Sequence, residues 1–204
     1  MAGLFVTFEG IDRAGKTSQA RRLVEALGDE AVAVREPGGT VLGERVRAIL
    51  KDPAAAIGPE AEALLFAAAR AELCREVIRP ALEAGRTVVC DRFLDSSLAY
   101  QGAGRGLGID EVLEVNRLAT AGLVPDVTIL LTIDPAAALR RAGETDRFEG
   151  EGDALQRKVA EAYERLADAE PGRFRRVDAD RPADEVAADV LAIVTAARAE
   201  AAPA

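Results

Sequence analysis

The sequence predicts an α/β fold of three layers, in which helices cover both faces of a five-stranded parallel sheet. Two observations carry this prediction. Five short apolar segments alternate with longer segments of helical periodicity, as in sheets built from strand–helix–strand units. Aromatic residues make up only 4% of the chain, which argues against a sandwich of many short strands. At 49% hydrophobic residues, the chain can also bury a sizeable core.

The strands are predicted where a short apolar run ends at a turn residue. The runs LFVTFE, AVAVR and TVVC end at Gly10, at Glu36-Pro37-Gly38-Gly39 and at Asp91, respectively. The fourth run, VTILLTI, is apolar throughout, which is typical of a strand buried on both faces. A short fifth run lies close to the end of the chain. The predicted strands are therefore 4–9, 31–35, 87–90, 127–133 and 174–177.

The intervening segments repeat their apolar residues at helical spacing. Between Ala20 and Leu27, for example, the apolar residues recur every three or four positions. Pro59 suits the first turn of a long helix, and Asp110 is expected to cap a later one. A glycine-rich connection is expected at 102–108. The predicted helices are 18–27, 41–50, 59–84, 95–101, 110–121, a short one from 135, 154–169 and 182–198.

The length of the chain, its composition and its net charge limit the classes of function that are possible. The 204 residues show no repeat and no linker, so we expect one domain over 1–204, with a mobile lid at about 141–153. The chain has no histidine, which excludes Ser-His-Asp and Cys-His catalysis and histidine-ligated metals. A net charge of -9 disfavours binding to long nucleic acid, although a small anionic substrate remains possible.

The location that the sequence predicts is cytoplasmic. No apolar run approaches eighteen residues, so no membrane partner is expected. The first nine residues lack the basic and cleavage-site features of a secretory signal. Cys74 and Cys90 lie far apart and outside any C-x-x-C pair, as is usual in a reducing compartment.

The segment GIDRAGKT at 10–17 matches the phosphate-loop motif G-x-x-x-x-G-K-[ST] in full, between a predicted strand and a predicted helix. Its backbone N–H groups would converge on the phosphates of ATP, Lys16 would reach the β- and γ-phosphates, and Thr17 would ligate Mg²⁺. The fold is therefore a three-layer P-loop fold. No N-K-x-D motif supports a GTPase, so a small-molecule kinase is favoured. The expected ATP-binding residues include Gly10, Ile11, Asp12, Arg13, Ala14, Gly15, Lys16, Thr17 and Ser18.

Further motifs follow the other predicted strands: R-E-P-G-G-T at 35–40, D-R-F-L-D-S-S-L-A-Y-Q-G at 91–102 and D-R-F-E at 146–149. With the phosphate loop, they match bacterial thymidylate kinases in order and spacing, and the chain resembles this family over about 4–166. The resemblance implies transfer of the ATP γ-phosphate to dTMP, with ATP and dTMP as small-molecule partners, Mg²⁺ as cofactor and a homodimeric assembly.

The same resemblance assigns residues to the thymidine part of the substrate. Phe66 would stack on the thymine ring, and Arg70, four positions along the same helix, would donate to a base carbonyl. Ser97 and Gln101 would contact the base edge. Tyr100 would crowd the sugar C2′ and so disfavour ribonucleotides.

The acceptor phosphate is assigned to three arginines. Arg92, with Arg35 and Arg47, would hold this phosphate, because guanidinium forks match phosphate oxygens. Glu36 and Pro37 complete the substrate side by resemblance. From the sequence alone, Arg47 could equally be a solvated charge, and Glu36 could equally serve as a cap or an ion pair.

The resemblance also gives five residues in or near the phosphate loop and the predicted lid a role toward the phosphates, the metal or adenine. Asp12 would face the acceptor's 3′-hydroxyl and phosphate, and Asp91 would hold the Mg²⁺ shell. Arg13 resembles the basic loop residue of one of the two thymidylate kinase patterns. Arg140 would pack on adenine, and Arg147 would move onto the transferred phosphate when the lid closes. The expected catalytic residues are Asp12, Arg13, Lys16, Arg92 and Arg147.

The expected reaction is an in-line attack of the acceptor phosphate on the γ-phosphorus, which needs no histidine base. Two alternatives remain at this point. One is another P-loop nucleotide or deoxynucleoside kinase, and the other is a non-enzymatic P-loop module that only binds nucleotide.

Overall fold

The protein is described by a computed structural model, which covers residues 3–141 and 152–201. Within these ranges, five strands form one sheet with every neighbouring pair parallel, in the order β2-β3-β1-β4-β5. The predicted parallel sheet is confirmed. The strands are β1 (Phe5–Glu9), β2 (Ala31–Arg35), β3 (Thr87–Asp91), β4 (Val127–Thr132) and β5 (Phe174–Asp178).

The described helices lie close to the predicted segments. They are α1 (Lys16–Leu27), α2 (Val41–Lys51), α3 (Pro59–Leu73), α4 (Arg79–Glu83), α5 (Leu94–Ser97), α6 (Ile109–Thr120), α7 (Pro135–Leu139), α8 (Asp153–Ala169) and α9 (Ala183–Ala201). A π-helical segment, Cys74–Ile78, joins α3 to α4, so the long helix predicted at 59–84 is continuous. Among the helices that the structure describes, none has the length and apolar character needed to cross a bilayer.

Two local predictions were wrong. The helix that begins with α5 continues as a π-helical segment, Leu98–Gly104, so the first part of the expected glycine-rich connection is helical. Gly102 and Gly104 allow this because both pack closely: a Cβ at Gly104 would lie 2.8 Å from the Leu155 side chain. Asp110 does not cap α6, because the cap position is Gly108 and Asp110 lies within the first turn.

The helices form two layers against the sheet. Helix α1 packs against β1, β2 and β3 and against α9, whereas α8 packs against β4, β5 and the π-helical segment Leu98–Gly104. The strand β1 between them is buried along its whole length. Phe5 in this strand meets Phe93 edge to face, with the ring centroids 4.9 Å apart. This packing fixes the strand ends from which the candidate site is built.

Strand register brings the polar strand ends to one edge of the sheet. Asp91 pairs with Phe8 in β1 and with Arg35 in β2, so the carboxyl ends of β1, β2 and β3 lie level with one another. Open parallel sheets place their ligands at this edge. The phosphate loop, the R-E-P-G-G-T turn and the D-R-F segment therefore meet in one region.

Candidate active site

The phosphate loop runs from the end of β1 to the start of α1 and depends on its glycines. Gly10 has φ 135° and Gly15 has φ 100°, both in the range that side chains with a Cβ rarely adopt. At Gly10, a Cβ would also lie only 2.5 Å from the Leu131 carbonyl oxygen in β4. The first position of the motif is therefore glycine for two reasons, backbone conformation and close approach to the sheet.

Lys16 lies inside this loop. Its Nζ donates to the carbonyl oxygens of Gly10, at 3.0 Å, and Ile11, at 2.6 Å, and the residue is buried. Burial and the nearby Arg92 lower the pKa of Lys16 to about 8, whereas the negative charges of Asp12, Asp91 and Glu9 oppose the shift. The surroundings of Lys16 therefore disfavour its positive charge overall, because burial and Arg92 outweigh the three nearby carboxylates.

Thr17 and Asp91 face one another at the start of α1. The Thr17 hydroxyl donates to Asp91 Oδ2 at 2.5 Å. Hydroxyl and carboxylate oxygens are hard donors that suit Mg²⁺, which usually takes one or two protein oxygens and completes its shell with water and phosphate. Among residues 3–141 and 152–201, no group of three or more Asp, Glu, His or Cys side chains could hold a metal. The pair therefore fits a Mg²⁺ ion that is shared with a nucleotide.

Arg92 connects the end of β3 to the phosphate loop. Its guanidinium forms an ion pair with Asp12 and donates to the Gly10 carbonyl and to Ser96 Oγ, each at 3.3 Å. The same group lies over the Tyr100 ring, 5.2 Å from its centroid. Arg92 has φ 69°, a left-handed conformation that is uncommon for a residue with a side chain. The arginine is thus held against the loop by several independent contacts.

Asp12 is held between Arg92 and helix α8. Its carboxylate accepts from Gln156 Nε2 at 2.7 Å, and its backbone N–H donates to Gln156 Oε1 at 3.2 Å. Burial raises the pKa of Asp12, but Arg92 and Lys16 outweigh it, so that the pKa lies below its ordinary value. Asp12 therefore stays ionised beside the two cations.

Arg70 is fully buried, and each side of its guanidinium meets a protein partner. Its ion pair with Glu36 includes Nε at 2.9 Å from Oε2, and it also donates to Ser97 Oγ and to the Phe93 carbonyl, both at 3.0 Å, and to Asn116. Burial raises the pKa of Glu36, and Arg70 opposes the shift. The ion-pair alternative for Glu36 is the one found, and the contact of Arg70 with a base stays a prediction.

The other residues predicted to contact the nucleoside lie on α3 and on the π-helical segment Leu98–Gly104. Gln101 is buried, and its Nε2 donates to Glu62 Oε1 at 3.0 Å, which also accepts from Arg105. Tyr100 is buried against Arg92. Phe66 is half-buried and packs against a small apolar cluster between α2 and α3. Their roles toward a nucleotide stay predictions.

Two of the predicted phosphate-binding arginines fasten the R-E-P-G-G-T turn to α2. Arg35 is exposed, and its Nη2 lies 3.1 Å from Glu44 Oε1. Arg47 donates from Nη1 to the Pro37 carbonyl at 2.9 Å. Both therefore have structural partners on the turn, and their contact with the acceptor phosphate stays a prediction.

Arg13 and Arg141 each donate a hydrogen bond from the side chain to the backbone carbonyl of the other. Arg13 Nη1 donates to the carbonyls of Leu139, at 3.2 Å, and Arg141, at 3.3 Å, while Arg141 Nη1 reaches the Arg13 carbonyl at 3.4 Å. Arg141 Nη2 also donates to the Ala179 carbonyl at 2.6 Å, beyond β5. Arg140 is exposed at the end of α7. Arg147 and residues 142–151 of the lid predicted at about 141–153 lie outside the described residues.

Three residues of the site carry no role in the sequence-based interpretation. They are Glu9, Gln156 and Tyr163; Glu9 ends the buried strand β1, and the other two lie on α8. A carboxylate that directly precedes a phosphate loop at the end of an apolar run was a usable signal for Glu9. No local signal exists for Gln156, because its contact with Asp12 spans 144 residues.

A parallel sheet with a phosphate loop after its central strand defines the P-loop nucleotide-binding class. A guanidinium, a group that suits phosphate oxygens, also reaches this loop from the residue that follows β3.

Comparison with known proteins gives the family. The family model described as thymidylate kinase matches residues 8–190. Thymidylate kinase from Deinococcus radiodurans is 50% identical over 199 residues, which covers 95% of this chain and 97% of that relative. Thymidylate kinase from Bifidobacterium longum is 49% identical over 194 residues, covering 91% and 94%. The crystal structure of thymidylate kinase from Ehrlichia chaffeensis aligns with a TM-score of 0.79 at 31% identity, covering 95% of this chain and 99% of that one. The chain belongs to the thymidylate kinase family.

Proposed function

We propose that this protein transfers the γ-phosphate of ATP to dTMP, giving ADP and dTDP for dTTP synthesis. Membership of the thymidylate kinase family over nearly the whole chain supports the reaction. The observation that carries the proposal is the position of Arg92, which reaches from β3 to the Gly10 carbonyl and Asp12. An arginine suited to the acceptor phosphate thereby lies beside the loop suited to the donor phosphates.

The chemistry requires positioning and charge neutralisation rather than a base. The phosphate dianion of dTMP is already a nucleophile, so it attacks the γ-phosphorus in line without losing a proton. Arg92 holds this phosphate, Lys16 holds the β- and γ-phosphates, and both neutralise the charge that spreads over the transferred group. Asp12, ionised between them, orients Arg92 and faces the acceptor sugar.

Mg²⁺ is proposed as the cofactor, held by Thr17 and, directly or through water, by Asp91. The 2.5 Å contact between their oxygens supports this proposal, since it already gathers two hard donors at the start of α1. The ion would supply charge neutralisation at the phosphates of ATP.

Base recognition is proposed for Phe66, Arg70, Ser97 and Gln101, with Tyr100 against the sugar C2′. Family resemblance supports this assignment; in this structure Arg70 donates to Glu36, Ser97, Asn116 and the Phe93 carbonyl, so a bond to a base would replace one of these contacts. The remaining proposed roles belong to Arg35, Arg47, Glu36 and Pro37 on the substrate side, to Arg13, Arg140 and Arg147 on the ATP side, and to the backbone of the loop Gly10, Ile11, Ala14, Gly15 and Ser18.

We also propose that the chain is a single P-loop kinase domain that acts in the cytoplasm as a homodimer. Family resemblance supports the dimer, and the two free, buried cysteines fit a reducing compartment. Sedimentation velocity at micromolar concentration measures the assembly directly. A mass near the 21.5 kDa of one chain would contradict the dimer.

The activity is tested by coupled release of ADP with a panel of acceptors: dTMP, dUMP, dCMP, dGMP, UMP and thymidine. We expect dTMP to give the highest kcat/KM and Lys16→Met to remove activity with every acceptor. A better rate with thymidine than with dTMP would establish a deoxynucleoside kinase instead. ATP binding without any acceptor-dependent release of ADP would establish a binding module.

A further inference from the structure

Glu9 is a buried carboxylate whose hydrogen-bond partners all come from other parts of the site. It ends β1 and is fully buried. Its oxygens accept from the backbone N–H groups of Phe93, at 2.8 Å, and Ser96, at 3.3 Å. They also accept from the hydroxyls of Ser96, at 2.6 Å, and Tyr163, at 2.7 Å. One side chain thus joins β1, the start of α5 and helix α8.

Two of these partners, Phe93 and Ser96, lie in the turn that follows Arg92 in the chain. Arg92 directly precedes Phe93 and has φ 69°, which places a Cβ-bearing residue in the unfavourable left-handed region. Such a conformation persists only where the surrounding structure fixes it. The two N–H groups that donate to Glu9 are those of the turn that directly follows Arg92, so the carboxylate fixes the direction in which the arginine leaves β3.

Glu9 also directly precedes the phosphate loop. The next residue, Gly10, accepts hydrogen bonds at its carbonyl from both Lys16, at 3.0 Å, and Arg92, at 3.3 Å. The spacing between the proposed donor-side cation and the proposed acceptor-side cation is therefore set by residues 9 and 10. A shift of the Glu9 side chain would move the Arg92 backbone relative to this loop.

A purely packing role accounts poorly for a carboxylate at this position. The hydrogen-bond partners of Glu9 are N–H and O–H groups, and the two hydroxyl oxygens, of Ser96 and Tyr163, lie 2.9 Å from one another beside its carboxylate. Burying a carboxylate is costly unless its oxygens are fully used, and an apolar residue would fill the same volume without that cost. What the carboxylate supplies is two accepting oxygens; an apolar side chain offers neither, and an amide would replace one of them with an N–H donor.

We propose that Glu9 is a positioning residue of the phosphoryl transfer, which holds Arg92 in register with the phosphate loop through Phe93 and Ser96. It does not itself touch either nucleotide. Tyr163 extends this arrangement to α8 and so couples that helix to the acceptor arginine. The inference rests on the proposed function, because the role of Arg92 is to hold the acceptor phosphate.

The test is a double-mutant cycle between Glu9→Gln and Arg92→Ala, with kcat, both KM values and the melting temperature measured for each enzyme. Glu9→Gln is expected to lower kcat/KM for dTMP by about 10- to 100-fold, as loss of a group that orients a ligand does. KM for ATP should change by less than about twofold. In the Arg92→Ala background, Glu9→Gln should lower the rate by less than about twofold further, because the residue through which it acts is gone.

Asp95→Asn is the matched control. Asp95 is also a fully buried carboxylate of the turn after Arg92, but its side chain pairs with Arg173, at 2.7 Å, and Phe93 and Ser96 donate their N–H groups to Glu9 instead. This variant should lower the melting temperature while keeping kcat/KM for dTMP within about threefold of the wild type. If Asp95→Asn lost activity as severely as Glu9→Gln, the effect would be one of general stability and the inference would be wrong.

Two other results would overturn the inference. One is a Glu9→Gln enzyme with unchanged kcat/KM for dTMP, and the other is additivity of the two substitutions. If Glu9→Gln does not fold, Tyr163→Phe replaces it in the cycle and must show the same non-additivity with Arg92→Ala. A wild type that releases no ADP with dTMP would instead contradict the proposed function. The cycle would then be measured with the acceptor that the panel identifies, and additivity there would contradict the positioning role alone.

Discussion

Arg92 is the residue at which the proposed donor and acceptor sides of the site meet. Its ion pair with Asp12 and its bond to the Gly10 carbonyl place a rigid, planar cation beside the phosphate loop. Lysine could supply the charge but not the two parallel donors that match a phosphate. We therefore expect the geometry of this residue, more than its charge, to matter for the proposed transfer.

We expect Arg92→Ala to lower kcat/KM for dTMP by about 100-fold or more, because a charge-assisted contact with the acceptor phosphate is lost. Steady-state kinetics with dTMP and ATP varied in turn measure the effect. Arg92→Lys, which keeps the charge without the fork, should recover part of the loss. A near-wild-type value for Arg92→Ala would remove this residue from the acceptor site.

Arg70 and Glu36 form the most deeply buried ion pair of the site. Arg70→Ala leaves the Glu36 carboxylate buried without its partner, and such a loss destabilises a protein by about 3–5 kcal/mol. Urea denaturation of the variant and the wild type gives the difference. Arg75, also an arginine of the long helical stretch, is exposed and pairs with Glu72 and Glu76 at the surface. Arg75→Ala should leave the midpoint nearly unchanged, and an equal loss in both variants would contradict the argument.

Glu9 should make stability depend on pH near neutrality. Burial, followed by the negative charge of Asp95, raises its pKa from 4.5 to about 7, whereas Ser96, Tyr163 and Arg92 oppose the shift. The folded protein thus holds this proton more tightly than the unfolded chain does. The favourable contribution is complete below pH 4.5 and is lost as the pH rises through 7.

Accordingly, the free energy of unfolding of the wild type should fall relative to that of Glu9→Gln between pH 4.5 and pH 7, since glutamine does not titrate. Lys16, which carries positive charge near Glu9, is present in both proteins and cancels in the difference. Chemical denaturation at pH 5, 6, 7 and 8 measures this difference. A difference that stays constant over this range would contradict the raised pKa.

Among the elements, α2 holds the R-E-P-G-G-T turn in place. Thr40 caps the helix, and its Oγ1 accepts from the Gly43 N–H at 2.9 Å. Gly43 itself must be small, because a Cβ there would lie 2.6 Å from the Gly38 carbonyl oxygen. Arg47 then donates to Pro37 from the same helix. The last residue of the motif is therefore a helix cap, which explains its place after two glycines.

Thr40→Ala should destabilise the protein by about 1 kcal/mol, because the Gly43 N–H loses its acceptor at the start of α2. Thr40→Ser keeps a hydroxyl and should cost much less. The free energies of unfolding of the two variants are compared at one pH. Equal losses in the two variants would assign the effect to the Thr40 methyl group and not to the cap.

At the scale of the whole molecule, an acidic chain places several of its positively charged side chains near the phosphate loop and the residues that follow β3. The net charge is -9, yet Lys16, Arg92 and Arg70 lie together behind the phosphate loop and the D-R-F segment. Local fields, rather than net charge, decide which small ions a site can hold. The fold thus reconciles an acidic protein with two anionic substrates.

Because both cysteines are buried, their reactivity measures whether the whole protein is folded. Burial, and then the charge of Glu36, raises the pKa of Cys74 to about 12, and burial raises the pKa of Cys90. We expect neither thiol to react with Ellman's reagent at pH 8 in the native protein and both to react in guanidinium chloride. Cys74→Ser should halve the signal from the unfolded protein. Rapid reaction of one thiol in the native wild type would contradict its burial.

The sequence by itself determined the elements and the phosphate loop. The strand AVAVR and the helix that opens at Pro59 follow from apolar periodicity and turn residues, which act over a few positions. Gly10 to Thr17 is equally local, because the loop's conformation and its chemistry come from consecutive residues. The sequence also allowed the family to be recognised, because each motif that carries the resemblance is an unbroken run of residues.

Only the tertiary structure decided which side chains meet. Tyr163 reaches Glu9 across 154 residues and Gln156 reaches Asp12 across 144, and the sheet order that brings α8 to β1 is written in no local pattern. The Arg70–Glu36 pair likewise exists because α3 lies against the end of β2. Burial, which gives Glu9 and Lys16 their shifted pKa values, is a property of the packed molecule and of no single segment.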